Sequence, residues 1–353
     1  MPPLPEAMTT WRLLTDSFTD PFMHFAVEEA VIRMVDEGKS PNTLRIRKVK
    51  PSVWIGIFQD AREEVDVPYC RKNDIKIVRR LNPGGAVYQD EGTFCYSAFF
   101  RKSFFNNFKD ISPEGLYGIF GKIIINACSG FNIHAILSPV NDITVNGRKI
   151  YGSAQFDFYD SFIHSGSFLF NVNKEEMNRT LRPSTLKFAD KTVKDIKERV
   201  VNFSDLLGEE VKMDEFIDAF INKFITGLKI QLVNGDISPD EMKLAEQLYR
   251  TKYSGETWTF NPQNNHSIIL STKIDSGVLI LSFNISDGRI SELAVKGDFM
   301  ITDQRALIQF IHDVKDNKAD EILAKLNHAA LPADLKEGIS KLLAEFQNSI
   351  TNE

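Results

Sequence analysis

Cysteine is scarce in this sequence of 353 residues: it occurs at Cys70, Cys95 and Cys128 only. An odd number of thiols at uneven spacing makes no disulfide framework and fits free cysteines in a reducing compartment. No Cys-x-x-Cys pair and no paired-histidine motif offers zinc a ligand set. All three thiols are expected to be structural, with Cys128 in an apolar helical run and Cys95 in a strand. Long hydrophobic runs are missing too, and nothing approaches the roughly 18 apolar residues of a membrane span. The opening MPPLPEAMTT has neither the apolar core of a secretory signal nor the arginines of a transit peptide, so a cytoplasmic protein is expected. Positive charge is not in excess. With Lys and Arg at 42 against Asp and Glu at 48, the net charge of −6 argues against a broad nucleic-acid-binding face. It leaves room for a local basic pocket around Arg79, Arg80, Arg148 and Lys149.

What is present reads as an ordinary globular chain, 42% hydrophobic and 25% charged, long enough for one large and one small domain. Phe22, Phe25, Ala26, Ala30, Val31, Met34 and Val35 fall near helical spacing and predict a first helix over Asp20 to Gly38, with Glu28 and Glu29 on its surface. Leu44 to Phe58 supplies strands, the second nearly all apolar. Trp54 within it suits the core and a ligand channel equally. Ser112-Pro113-Glu114 starts a helix that Gly130 stops. Further helices are predicted over Met213 to Leu228 and Pro239 to Lys252. After the composition shift at Tyr253-Ser254-Gly255, strands are predicted at Ser267 to Leu270, Gly277 to Asn284 and Arg289 to Lys296. Helices over Thr302 to Lys315, Ala319 to Asn327 and Pro332 to Gln347 complete the chain. No repeat or low-complexity tract interrupts this order.

Three stretches carry chemistry. In Ile75 to Phe100 an apolar run reaches Arg79 and Arg80, turns through Pro83-Gly84-Gly85 and leaves along Ala86, Val87 and Tyr88. Two fixed charges at a glycine-rich turn let backbone N–H groups approach an anion. No Gly-Lys-Ser/Thr follows and no helix begins after the glycines, which excludes a Walker A loop and a dinucleotide fingerprint. In Asn141 to Gln155 (NDITVNGRKIYGSAQ) an Asn146-Gly147 hairpin returns as a strand bearing Arg148 and Lys149. Phe162 to Phe170 is a further strand, with His164 among apolar residues. Together the three strands are expected to bring Arg80, Lys149 and His164 toward one basin, with His164 read as a core group rather than a catalytic one.

The succession RRLNPGGAVYQD, NDITVNGRKIYGSAQ, HSGSFLF and KFADKTVKDIKERV resembles the lipoate-protein ligase family over most of the chain. Its most specific part is Gly147-Arg148-Lys149-Ile150 followed by Gly152-Ser153-Ala154. The resemblance implies an α+β fold of the biotin/lipoate ligase type: a catalytic domain with a mixed sheet over 1–250 and a small accessory domain over 256–353. It implies activation of lipoate by ATP with Mg²⁺ to lipoyl-AMP, then transfer to a lysine of a lipoyl domain, in E2 subunits of 2-oxoacid dehydrogenases or in the glycine cleavage H protein. Lys149 becomes the catalytic residue. Arg80, Asn82, Gly84, Gly85, Ala86, Val87, Tyr88, Asp142, Gly152, Ser153, Ala154, Ser165 and Gly166 join it around the ligands. Asp142 is a candidate Mg²⁺ carboxylate, and Lys187 and Lys191 are candidate phosphate contacts. Gly56 and Gln59 match the family's Ile-Gly-x-x-Gln segment.

The chain departs from the family at Asn82, Pro83 and Gln89, at Phe156, where an arginine is usual, and at Ser165, where a second histidine is usual. A monomer without nucleic-acid or membrane partners is expected. An acyltransferase working without ATP and a lipoate-binding homologue without turnover are the alternatives. The absence of a cysteine between Phe131 and Gly152 favours the ATP-driven reaction.

Overall fold

In the computed structural model the described residues are 9–107, 113–138, 141–182, 196–207, 211–260, 266–301 and 303–351. They divide into two compact units. The first comprises residues up to Ser52, Gln89–Asn178 and Asp195–Ser254, and the second Val53–Tyr88, Arg179–Lys194 and everything from Gly255 onward. The change at Ser254 to Gly255 falls at the composition shift. The second unit also takes the arginine–glycine turn, which lies far from its other residues in sequence.

The first unit is built on an eight-stranded sheet in the order Ile230–Asn234, Thr9–Asp16, Thr43–Arg47, Thr93–Arg101, Ser161–Leu169, Arg148–Phe158, Asp142–Val145 and Ile136–Ser138. Thr9–Asp16 runs parallel to both neighbours and the remaining pairs are antiparallel, so the sheet is mixed. One face is apolar. The helix Met213–Leu228 brings Phe216, Phe220 and Phe224 onto it at four-residue spacing, and Pro113–Ser129 adds Phe120 and Ile124. Phe168 stacks on Phe216 with centroids 4.2 Å apart. His164 belongs to this core: its ring stacks on Phe120 at 4.0 Å and meets Tyr151 Oη at 3.3 Å and Gln155 Nε2 at 3.1 Å. The expected basin therefore loses His164, because strand alternation points it away from the Lys149 side.

The opposite face is charged, and the first helix, Pro21–Asp36 with Asp20 as its N-cap, packs over part of it. Arg45 Nε donates to Asp16 at 2.5 Å and its Nη1 to the His24 carbonyl at 2.8 Å. Arg47 donates to Glu28. Glu29 accepts from Arg33 at 2.5 Å, Lys252 at 2.7 Å and Tyr253 at 2.6 Å. Glu28 and Glu29 are 1% and 2% exposed, which corrects their reading as surface residues. Buried guanidinium groups need counter-charges, and the helix supplies them from inside.

In the second unit the short strands Lys76–Arg79, Ser52–Ile55 and Val87–Gln89 pair in that order. The Pro83–Gly85 turn does not close a hairpin but crosses the end of the middle strand. Trp54 is buried in that strand. The C-terminal part forms an antiparallel sheet of Ile268–Ile274, Gly277–Ser286 and Arg289–Gly297, against which the helices Gln304–Asp313, Ala319–His328 and Ala333–Thr351 bury Leu307, Phe310, Leu335, Ile339 and Leu343. Ser112, Thr302, Lys187 and Lys191 lie outside the described residues. No helix among the described residues is long and apolar enough to cross a membrane.

Burial holds the His164 pKa down to about 3, against 6.5 for the free side chain. Burial, with Arg45 and Arg47, lowers that of His24 as well. Below pH 6.5 the unfolded chain takes up protons that the folded chain refuses, so stability present above that pH is lost as pH falls toward 3. Between pH 6.5 and 5, His164 alone should cost about 1.5 kcal/mol. Urea unfolding at the two pH values checks this: His164→Phe should flatten the acid limb by that amount, and an unchanged limb would contradict it.

Candidate functional site

Lys149 is aimed by local geometry. Asn146 and Gly147, with φ of 50° and 75°, form the left-handed turn that an Asn-Gly pair favours. On the return strand Lys149 pairs with Thr144 and Tyr151 with Ile143, leaving Ile150 as an extra residue in a β-bulge. A bulge re-aims neighbouring side chains, and the Lys149 ammonium ends 2.7 Å from Asp142 Oδ1. It lies over Gly152, where a Cβ would come within 2.5 Å of Nζ. Gly152 therefore leaves the space in which the ammonium sits.

Asn141 and Ser153 brace the adjoining end. Asn141 Nδ2 donates to the Ser153 carbonyl at 2.6 Å, and Ser153 returns N–H and hydroxyl bonds to the Asn141 carbonyl at 3.0 and 3.1 Å. The start of the lysine strand is also held by Val201 N–H donating to the Lys149 carbonyl at 2.9 Å. Arg199, half-buried on the short helix Ile196–Arg199, has its pKa lowered by burial and supported by the charge of Asp142. Sequence reading missed Arg199, although it closes the KFADKTVKDIKERV segment.

Alternation places Gly152, Ala154 and Phe156 on the Lys149 side, opposite Ser167, Ser165 and Ile163 of the next strand. Gly166 faces the other way. A Cβ there would lie 2.5 Å from the Tyr96 and Tyr151 rings, so Gly166 packs against the core. Gln89 accepts from Ser167 at 2.9 Å and from the Cys95 thiol at 3.6 Å.

The arginine–glycine turn belongs to the second unit. Arg79 donates to the carbonyls of Gly56 at 3.1 Å, Ile57 at 2.9 Å, Gln59 at 2.5 Å, Trp258 at 2.9 Å and Thr259 at 2.7 Å. Burial lowers its pKa to about 10. Arg80 donates to Trp54, Pro83 and Gly85 carbonyls at 2.9, 3.1 and 2.8 Å, so both guanidinium groups shape the turn. The Asn82 carbonyl accepts from Ile57 N–H at 3.2 Å, and Gln59 Oε1 accepts from Gly56 N–H at 3.0 Å. Gly84 has φ of 95°, and a Cβ there would come within 2.8 Å of Met300 Sδ. Gly84 and Tyr88 are buried, which leaves Gly85, Ala86 and Val87 as the half-buried outer part of the turn.

No cluster of three or more histidine, cysteine, aspartate or glutamate side chains that could hold a metal occurs among the described residues. Asp142 is a single carboxylate beside Lys149. That suits Mg²⁺ held mainly by nucleotide phosphates better than a cage of protein ligands. All three cysteines are buried, and burial raises the Cys95 and Cys128 pKa values to about 11 and about 12.

The model of the lipoyl protein ligase A/B catalytic domain matches residues 20–225. Lipoate–protein ligase 1 of Staphylococcus aureus is 27% identical over 303 residues, 84% of this chain and 89% of that protein. A bipartite lipoate protein ligase of Thermoplasma acidophilum, solved in a study that included its E2 lipoyl domain, superimposes with a TM-score of 0.64 at 28% identity, covering 74% of this chain and 100% of that one. A lipoate-protein ligase A bound with ATP superimposes with a TM-score of 0.63 at 27% identity, covering 72% and 100%.

The different parts played by Arg79 and Lys149 are measurable. Arg79→Leu strips carbonyl groups of their donor in a buried frame and should cost about 3 kcal/mol or more in unfolding free energy. Lys149→Ala, at a half-exposed position, should shift the urea midpoint little. Equal midpoints for Arg79→Leu and the unaltered chain would remove Arg79 from the frame.

Proposed function

This chain belongs to the lipoyl protein ligase A/B catalytic-domain family, and on that premise we propose that Lys149 carries its chemistry. The enzyme is a lipoate–protein ligase. A lipoate carboxylate oxygen attacks the α-phosphorus of ATP and pyrophosphate leaves. The ε-amine of an acceptor lysine then attacks the carbonyl carbon of lipoyl-AMP, AMP leaves, and the amine gives up a proton. Both steps gather negative charge on oxygen. A fixed ammonium contributes most where that charge grows. The observation that carries the reading is the Lys149 ammonium seated over Gly152 beside Asp142.

Arg199 adds positive charge near Asp142, and Asp142 would hold Mg²⁺ together with the nucleotide phosphates. When bound, the ion neutralises phosphate charge. We assign Gly85, Ala86 and Val87 to ligand contact through the backbone, and Arg80 and Asn82 to shaping the turn that presents them. Ala154 and Ser165 border the acyl chain. The acceptor is a lipoyl domain, of an E2 subunit or of the glycine cleavage H protein, and the enzyme works as a cytoplasmic monomer. We assign catalysis to 1–250 and an accessory role to 256–353, with the arginine–glycine turn folded into the same compact unit as the latter. A cysteine-dependent acyltransferase fits poorly, because burial keeps the Cys95 and Cys128 thiols protonated and Cys70 is wholly buried.

Lys149→Ala should slow lipoyl-AMP formation and transfer from supplied lipoyl-AMP by two to three decades, about 3–4 kcal/mol, with the fold intact. Lys149→Arg should recover little, since a planar fork does not occupy the point position of an ammonium. Single-turnover assays of each step, with ATP–pyrophosphate exchange as a check on adenylation, decide the matter. Normal rates for the alanine variant in both would discard the assignment.

A further inference from the structure

The charged face of the sheet holds a chain of hydrogen bonds whose direction can be worked out atom by atom. Arg47 donates to Glu28 Oε2 and, through Nη2, to Ser97 Oγ at 3.2 Å. Ser97 Oγ lies 2.9 Å from Glu28 Oε2 and 2.8 Å from Ser165 Oγ. A carboxylate only accepts and a guanidinium only donates, so the single Ser97 proton goes to Glu28. Ser165 must then donate to Ser97. Two residues further along the strand, Ser167 Oγ donates to Gln89 Oε1 at 2.9 Å. Both serine protons are therefore drawn back into the buried network, and what Ser165 and Ser167 turn outward is lone pairs.

These two hydroxyls border the half-buried strip that begins at Lys149. Ser167 is paired with Gly152, over which the ammonium lies, and Ser165 with Ala154. From Gly152 to Ser165 is one strand across and two residues along, about 8 Å. That is the reach from the carboxylate of an extended medium-chain acid to its outer carbons. Behind Ser97 the Glu28 side chain is 1% exposed, and its Oε1 has no hydrogen-bond partner among the described residues. At the far end of the strip Ser165 and Ser167 thus present lone pairs, and the orientation of Ser165 is set by an ion pair that water cannot reach.

We propose that Glu28 and Arg47, acting through Ser97 and Ser165, make this enzyme select acids that carry a hydrogen-bond donor at the distal end of the chain. For lipoate this means the open dithiol in preference to the cyclic disulfide, and both donor-bearing acids and the dithiol in preference to a saturated fatty acid. The proposal rests on the ligase reading of Lys149. A disulfide or methyl end leaves the serine lone pairs desolvated and unmatched, whereas a thiol or hydroxyl satisfies them. Ser165 contacts the substrate, while Glu28, Arg47 and Ser97 are positioning residues.

Calorimetric binding of four acids to the full chain tests this: oxidised lipoate, dihydrolipoate under anaerobic reducing conditions, octanoate, and 8-hydroxyoctanoate as a donor that has no redox chemistry. Dihydrolipoate and 8-hydroxyoctanoate should bind about fivefold or more tightly than the other two, as one satisfied hydrogen bond implies. Ser165→Ala, a half-buried truncation that leaves the ion pair in place, should bring the four affinities together. Arg47→Met with Glu28→Gln should do the same if that variant folds. Equal affinities in the unaltered chain, all lost in Lys149→Ala, would overturn the selectivity and leave the ligase reading standing. Affinities that Lys149→Ala does not weaken would overturn both.

Discussion

The first unit depends on a sheet whose two faces are chemically opposite. One is sealed by phenylalanines from two helices, so it can hold neutral polar groups such as His164 only when they are stacked and hydrogen-bonded. The other buries the guanidinium groups of Arg45 and Arg47, among others, and no fold can leave those without counter-charge. Asp16 and Glu28 supply it, and Glu29 ties Lys252 and Tyr253 to the same helix. That requirement explains why a helix with a strong apolar pattern also carries two adjacent acids inward. It also determines which way the hydroxyl protons of Ser97 and Ser165 point.

The setting of Lys149 follows from what alternation does at the other end of that charged face. Lys149 shares it with Asp142 and with small side chains, and the bulge at Ile150 lets the ammonium lie over Gly152. A lysine on a regular strand would stand out toward water. Here its charge is held against the sheet by one carboxylate, close to a floor of Gly152, Ala154 and two serines. The arginines of the glycine turn play a different part from the lysine. Their donors are taken up by backbone carbonyls, so they hold a loop in shape.

Much of this was legible in the chain. Phe216, Phe220 and Phe224 announce a helix face by spacing alone. Ser238 before Pro239 announces a helix start, which the structure completes as a capping box with Glu241. Asn146-Gly147 announces the hairpin that carries Lys149. The lysine stood out only when the small residues that follow it were read together with the family resemblance. Other features were illegible for physical reasons. The strands Thr9–Asp16, Ile136–Ser138 and Ile230–Asn234 are short or sit at or near the sheet margins, where alternation is weak. Arg199 gave no local sign of lying near Asp142, because only folding brings them together.

The sequence by itself determined the long helices, the clearest turns and which family the motifs resemble, since periodicity, caps and turn residues act over a few positions. Tertiary structure alone decided the facing of His164, the burial of Glu28 and Glu29, the use of Arg79 and Arg80 as carbonyl donors, and the joining of residues 53–88 to the C-terminal part in one compact unit. Each of these turns on which strand lies beside which. A one-residue bulge or an inserted strand changes a side chain's neighbours while leaving its local sequence pattern unaltered.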